Sequence, residues 1–396
     1  MTRKEFLRTL ATLGIAAPLV TTLAASCNEK DETLQGLDVD YKGKVLIIGA
    51  GAAGMTAGYL LNRFGVDFQI IEASAVFGGR IKRLDGFADF PIDLGGEWIH
   101  TDPAVLSRML DDSAQQAKVD LVTYNPQTVS VWRNGKLRKR NITRHFYSEY
   151  KFKSTTWYGF FERFIVPSIQ DRIIYNSPVR SIDYSSDRVV VKDRNDNTYE
   201  ADKVLVTVPV SILKNSDITF EPALPTEKVE ALDSIYFPPI LKAFFEFSER
   251  FYPDLLVMDD LLTRNEMFYD AAFRKEAKSH VLGLFVIDDP AQTYVDLGTD
   301  QAIIQSALAK LDEVFDGKAS QFYVKGAVQN WTTEPFIQGS YSHFEENISN
   351  TIRTLIEPLN DKVYFAGEAM NLNGDTSTVH GASESAYLMI RRMLQL

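Results

Sequence analysis

The sequence predicts an α/β fold organised around one βαβ unit near its start. Two observations predict it. Residues 45–48 (VLII) and 68–71 (FQII) are short apolar runs of β character. Between them lies GAGAAG (residues 49–54), then helical spacing to about Phe64, and the second run ends on Glu72. Strand, glycine turn, helix, strand and acid, with the acid roughly 20 residues past the turn, is the order that binds a dinucleotide. Gly49 permits the tight turn, Gly51 lets the backbone approach a pyrophosphate, and Gly54 lets helix and strand pack closely. Ala53 sits in the first helical turn, whose free N–H groups and partial positive charge face the phosphates. Glu72 is placed to accept from ribose hydroxyls and to repel a 2′-phosphate. On these residues alone FAD and NAD both stay open.

At 396 residues the chain exceeds one small core, so two domains are expected. A composition of 45% hydrophobic and 24% charged residues is that of a globular protein. The formal net charge of -11 argues against a nucleic-acid partner. One cysteine excludes an intrachain disulfide, and no metal-ligand pattern stands out.

Residues 1–27 are expected to lie outside the fold. TRKEFLR (residues 2–8) is basic, and the apolar run 10–25 that follows is too short and too lightly flanked for a comfortable membrane span. The stretch reads as an export signal. TRKEFLR resembles a twin-arginine signal with lysine in the second place. AASC (residues 24–27) resembles a bacterial lipobox with Cys27 as the acylated residue, although Leu23 falls one place early. The expectation is an exported bacterial protein, periplasmic or anchored to a membrane by lipid alone. The alternative is an ordinary secretory signal in which Cys27 is incidental. Residues 28–40 are polar and acidic and read as a tether.

Further on, paired glycines mark two loops where the backbone approaches something closely: FGGR (residues 77–80) and DLGGEWIH (residues 93–100). Residues 129–139 predict a β-hairpin around Asn134 and Gly135. Residues 146–169 are aromatic-rich and in part helical; residues 173–191 hold short β runs. Strands are expected over 201–208, 241–247, 322–329 and 363–366. Residues 299–315 and 379–396 have amphipathic helical spacing.

The motifs taken together resemble the flavin-containing amine oxidases, the family of monoamine oxidases, polyamine oxidases and flavin-dependent histone demethylases. They are GAGAAG with Glu72, GGR, DLGGEWIH, PVRSI (178–182), VLVTVPVSIL (204–213), LKAFFEF (241–247), NWTTEPFIQGSYS (330–342), FAGE (365–368) and TVHGASESA (378–386). The resemblance implies a Rossmann-like FAD domain of the glutathione-reductase type, built from 40–125, 170–215 and 358–396. It would be interleaved with an α+β substrate domain from 126–169 and 216–357. It implies FAD rather than NAD. Gly79 and Arg80, the Gly95-Gly96-Glu97-Trp98 segment, Val179, Gly367 and Glu368 would join the cofactor site. The last helix would point its start (Thr378, Val379, Ala382) at the flavin edge. Lys242 would hold a water near the ring, Tyr341 would wall an aromatic cage, and Trp331 would support it.

The sequence also departs from that pattern. Residues 371–377 contain no second cage aromatic, which leaves Asp375 or Thr378 on that side, and Asp375 could favour a cationic substrate tail. Ser340 stands where some members attach FAD through cysteine, so the flavin is expected without a thioether bond. The 140–155 region is short, which implies an open pocket or one completed by a second copy in a homodimer. The implied reaction is oxidation of an amine C–N bond by hydride transfer to flavin N5. The imine would be hydrolysed and dioxygen reduced to hydrogen peroxide. Two alternatives stand beside it: another flavin oxidoreductase such as an amino-acid oxidase or isoprenoid desaturase, and a flavoprotein without turnover.

Overall fold

The computed structural model describes residues 37–111, 118–140, 149–259, 264–344 and 348–396. The export signal with Cys27, most of the expected tether, and residues 141–148 of the short region lie outside the described residues.

Lys44–Ile48 is the middle strand of a five-stranded parallel sheet. In order across the sheet the strands are Val363–Phe365, Lys203–Val206, Lys44–Ile48, Asp67–Ile71 and Ile173–Ile174. Val45, Leu46 and Ile47 are fully buried, as a strand covered on both faces must be, which is why the run reads as continuously apolar. Helix Ala52–Arg63 lies against this sheet. A Cβ on Gly58 would come within 2.7 Å of Ile70 Cδ1, so glycine there lets helix and strand approach. The last helix, Val379–Leu394, packs beside Ala52–Arg63, and Thr56 Oγ1 donates to Ser383 Oγ at 3.0 Å in the buried seam.

A second sheet of seven strands runs in the order Tyr323–Asn330, Ile240–Phe247, His280–Ile287, Glu266–Asp270, Leu255–Met258, Val129–Arg133, Lys136–Arg140. It is antiparallel except where Leu255–Met258 meets Val129–Arg133. Alternation along Ile240–Phe247 decides what faces what. Leu241, Ala243, Phe245 and Phe247 pack under helix Asp300–Phe315, against Ile303, Ala307 and Leu311. Phe244 faces the other way, toward Phe87, Phe90 and Tyr269, and Lys242 shares its side.

The expected hairpin turns at Asn134 and Gly135, both at positive φ, and the helix over 299–315 starts on Thr299, whose side chain accepts from Ala302 N. The sequence reading assigned no strand to Leu255–Met258, Glu266–Asp270 or His280–Ile287. The first and last are runs buried on nearly every residue, and such runs carry no alternation to read. Helix Ile348–Ile356 was also not assigned. Among the described residues no helix is long and apolar enough to cross a membrane.

Helix Ile348–Ile356 ends on a buried cation. Lys228 Nζ donates to Thr354 O (2.8 Å), Leu355 O (2.7 Å) and Glu357 O (2.9 Å) and sits 4.5 Å from the Phe365 ring centroid. These carbonyls are the ones a helix terminus leaves without partners. Lys228→Met is expected to lower stability by about 2 kcal/mol, the worth of charge-assisted bonds to groups that would be left buried, as read by urea unfolding.

Candidate active site

One cavity of about 1820 Å³ opens at the C-terminal ends of the parallel strands, where Ile48, Ile71, Glu72 and Thr207 line it. This is the edge at which open α/β sheets bind ligands. The same cavity reaches Lys242, Phe285 and Tyr341 of the second sheet and its flank. It exceeds the roughly 300–1,000 Å³ of an ordinary ligand pocket.

At the glycine turn the three glycines do different things. A Cβ on Gly54 would stand 1.9 Å from Gly49 O and 2.9 Å from Thr207 Oγ1, so Gly54 serves the fold. Gly49 has φ +106 and serves the turn. A Cβ on Gly51 would meet nothing within 4 Å among the described residues, so the space on that side of the backbone stays open. Glu72 holds the turn from below: Oε2 accepts from Ala50 N at 2.6 Å and Oε1 from Ser74 N at 2.8 Å. Burial raises its pKa, opposed by those N–H groups. Gly79, at φ +56, faces Gly51 with its Cβ position 3.5 Å from Gly51 Cα. Ala53, Val179, Gly367 and Glu368 also line this part of the cavity. Arg80 donates to Ser340 O (3.0 Å) and Glu368 Oε1 (2.9 Å), and Glu368 accepts from Ser342 Oγ (2.6 Å) and Ser377 N (3.1 Å).

The second glycine pair is a close approach within the protein. A Cβ on Gly95 would lie 1.9 Å from Arg80 O and 2.9 Å from Trp331, and one on Gly96 2.7 Å from Val379 Cγ2. Lys242 clamps this loop from the second sheet. Its Nζ donates to Asp93 O (2.8 Å), Gly95 O (3.2 Å) and Glu97 Oε2 (2.7 Å), which uses all three ammonium protons. Glu97 is shared: Lys151 Nζ lies 2.5 Å from Oε1, and Tyr269 O–H donates to Oε2 at 2.5 Å. Burial alone would raise the Glu97 carboxyl, but the two ammonium charges outweigh it and hold it well below the usual carboxylate range. Burial, with Glu97 beside it, pushes Asp93 up to about 7, and burial lowers the Lys242 ammonium.

Trp331 Nε1 donates to Leu94 O at 3.0 Å and braces the same loop. The Tyr341 ring lies 5.1 Å from that of His343. Thr378 caps the last helix: its Oγ1 accepts from Gly381 N (2.9 Å) and donates to Asp375 O (2.7 Å), while Val379 and Ala382 line the cavity. Thr378 is thereby engaged by the helix start, and the Asp375 side chain is 37% exposed beside buried His380. Trp98 lines the cavity and meets Tyr124 (5.9 Å), Tyr269 (5.0 Å) and Phe285 (6.5 Å) edge-on.

The structure therefore brings the expected cofactor and substrate residues to one cavity, except Gly54, which packs behind the turn against Gly49 O. Glu97, like Glu72 and Glu368, turns its carboxylate to protein partners, and its partners Lys151 and Tyr269 are not expected from the sequence. Lys151 and Tyr269 come from strands Glu149–Phe152 and Glu266–Asp270, to which the sequence assigns no role. Gly283 pairs across from Tyr269, and a Cβ there would stand 2.7 Å from its ring. His100 was seen only as part of a motif; its Nδ1 lies 2.8 Å from Glu149 Oε1 on the cavity wall.

The model of the flavin containing amine oxidoreductase family matches residues 52–157 and 158–394. Human lysine-specific histone demethylase 2 is 26% identical over 85% of this chain and 52% of its own length. Polyamine oxidase 1 of Zea mays is 26% identical over 54% of this chain and 46% of its own. The chain thus spans about half the length of the curated relatives it matches. Among solved structures, putrescine oxidase bound to putrescine has a TM-score of 0.74 at 16% identity, covering 90% of this chain and 100% of that one. Cyclohexylamine oxidase from Brevibacterium oxydans gives 0.74 at 15%, covering 90% and 99%. These two share the fold: a Rossmann-like nucleotide domain joined to a substrate domain. With most of its residues matched by the family model, the chain belongs to the flavin-containing amine oxidoreductase family.

Proposed function

We propose that this protein is an FAD-dependent oxidase of a small-molecule amine. The observation that carries the reading is the single cavity that joins a dinucleotide turn with open space beside Gly51 to the wall holding Lys242 and Tyr341. The residues fit the cofactor. Gly51, Ala53 and Gly79 would take the pyrophosphate and Glu72 the ribose. Val179 would pack near the adenine, Arg80 and Glu368 would stand along the chain between the ends, and Gly95, Gly96, Val379 and Ala382 would flank the ring. When bound, FAD supplies the two-electron acceptor for the amine C–N bond, with dioxygen as its reoxidant.

The chain's own residues supply orientation and dryness. Tyr341, Trp331 and Phe285 give the cavity aromatic faces, which orient an amine and lower its affinity for a proton by desolvation. Lys242 acts through the loop: its three bonds hold Asp93, Gly95 and Glu97 in one arrangement. The product would leave as a carbonyl compound plus ammonia or an amine once water hydrolyses the oxidised C–N bond. The only cysteine of the sequence is Cys27, so attachment of FAD by a thioether to the folded residues is ruled out. We also place the protein outside the cytoplasm as a lipoprotein; loss of palmitate labelling in Cys27→Ala would support this, and unchanged labelling would refute it.

The test is oxygen uptake with a panel of amines. Arg264 and Arg353 line the cavity too, so amino acids belong in the panel, and turnover of an amino acid in place of every amine would favour the second reading. Tyr341→Ala is expected to raise KM about tenfold, the worth of one cation–π wall. Lys242→Met is expected to cost about 100-fold in kcat/KM through the displaced loop. A Lys242→Met enzyme with unchanged kcat/KM would remove the role assigned to that lysine.

A further inference from the structure

Lys151 lies in strand Glu149–Phe152 and is 1% exposed. Its Nζ is 5.3 Å from the ring centroid of Trp98, 5.1 Å from Tyr124 and 4.9 Å from Tyr269. Glu97 Oε1 is 2.5 Å away, yet among the described residues the ammonium makes no aligned hydrogen bond. Its charge is met by one carboxylate and three aromatic faces, the surroundings that recognition sites offer to a foreign ammonium. Here the protein fills them itself.

We propose that Lys151 sets substrate specificity as the permanent occupant of this cage, so that the wall made by Trp98 and Tyr124 accepts amines whose far end is neutral and apolar and rejects a second positive charge. The proposal rests on the amine reading of the cavity and names its substrate class: monoamines rather than diamines. Trp98 and Tyr124 line the cavity while contacting Lys151 from behind. Lys242 also lies 5.6 Å from Trp98. An aromatic ring whose electrons already face a cation has less to offer another. The charges add to this. Lys151 and Lys242 share one carboxylate, which leaves the group at +1. Lys275, pushed down to about 8 by burial, adds a further positive charge that Asp93, pushed up to about 7, offsets only in part. Asp270 is engaged by Arg250 at 3.2 Å and Glu149 by His100 at 2.8 Å. Nearby Leu255, Met267 and Phe285 offer a second charge no partner.

Two variants test this on the FAD-loaded protein by calorimetric binding, which requires no turnover. K151M keeps the bulk of the stem and removes the charge; Glu97 retains Lys242 and Tyr269. An alkyl monoamine and a diamine of equal chain length are titrated into native protein and K151M. The native protein is expected to prefer the monoamine at least tenfold, and K151M to lose that preference. K151A empties the cage and is expected to bind tetramethylammonium at least tenfold tighter than native protein does. A merely structural lysine would weaken both amines alike and leave their ratio unchanged. A native protein that binds the diamine as tightly, a K151M that keeps the preference, or a folded K151A that gains no tetramethylammonium affinity overturns the proposal. Should K151A fail to fold, K151M decides. Should no amine bind or turn over, the oxidase reading falls while the tetramethylammonium result still judges the cage.

Discussion

Glu97→Ala is expected to destabilise the protein by roughly 3–5 kcal/mol, the cost of stripping buried charges of their partner. Lys151 and Lys242 would be left as uncompensated ammonium groups, each at most 2% exposed at the side chain, and Tyr269 would lose its acceptor. The pH dependence has a definite sign. The folded-state pKa of Glu97 is depressed, so its contribution is fully present above the unfolded carboxyl pKa of about 4.3. It fades as pH falls below that toward the folded value. Urea unfolding of native and variant protein at neutral pH should show the full difference, and the two curves should converge in acid. A difference that stays constant from neutral to acidic pH would mean that the carboxylate is not what matters.

Gly51→Val and Gly54→Ala should fail in opposite ways. At Gly54 the new methyl would stand 1.9 Å from a backbone oxygen. Backbone cannot yield as a flexible side chain does, so the strand–helix junction must shift. Overpacking of this kind costs typically about 1–3 kcal/mol or more, and melting should drop. At Gly51, φ is -79, ordinary for any residue, and the side chain would project into open cavity. Gly51→Val should therefore melt, as apoprotein, like the native apoprotein and yet bind FAD at least 100-fold more weakly, about 2.7 kcal/mol. Equal FAD affinity in Gly51→Val would move the pyrophosphate away from this turn.

These contrasts show what the sequence could and could not reveal. The opening unit was legible because its requirements are local: Gly49 makes the turn, Gly54 answers Gly49 O within it, Gly51 leaves space open beside it, and Glu72 reaches back to Ala50. Lys242 was legible because a charged residue stands out within the apolar strand Ile240–Phe247. Lys151 was not, since the alternation of Glu149-Tyr150-Lys151-Phe152-Lys153 puts it on the polar side of its strand, and its burial depends on Glu97, Trp98 and Tyr124 from other elements. Tyr269 owes its place to Gly283 across the sheet, a pairing that becomes visible only when strands are registered. The strands Leu255–Met258 and His280–Ile287 were missed for the related reason that full burial erases the polar half of a β pattern. Glu97 shows a third case. Its motif was recognised as part of the cofactor site, but the direction of its side chain was decided by two lysines distant in sequence.

The central claim is that one cavity holds FAD at its glycine turn and an amine at its aromatic wall. Anaerobic mixing of the purified FAD-loaded protein with a panel of alkyl and aralkyl monoamines, followed in the visible flavin band, tests it most directly. At least one monoamine is expected to bleach the band fully, and admitting oxygen to restore it. A flavin band that no amine bleaches, while an amino acid or a polyene does, would contradict it.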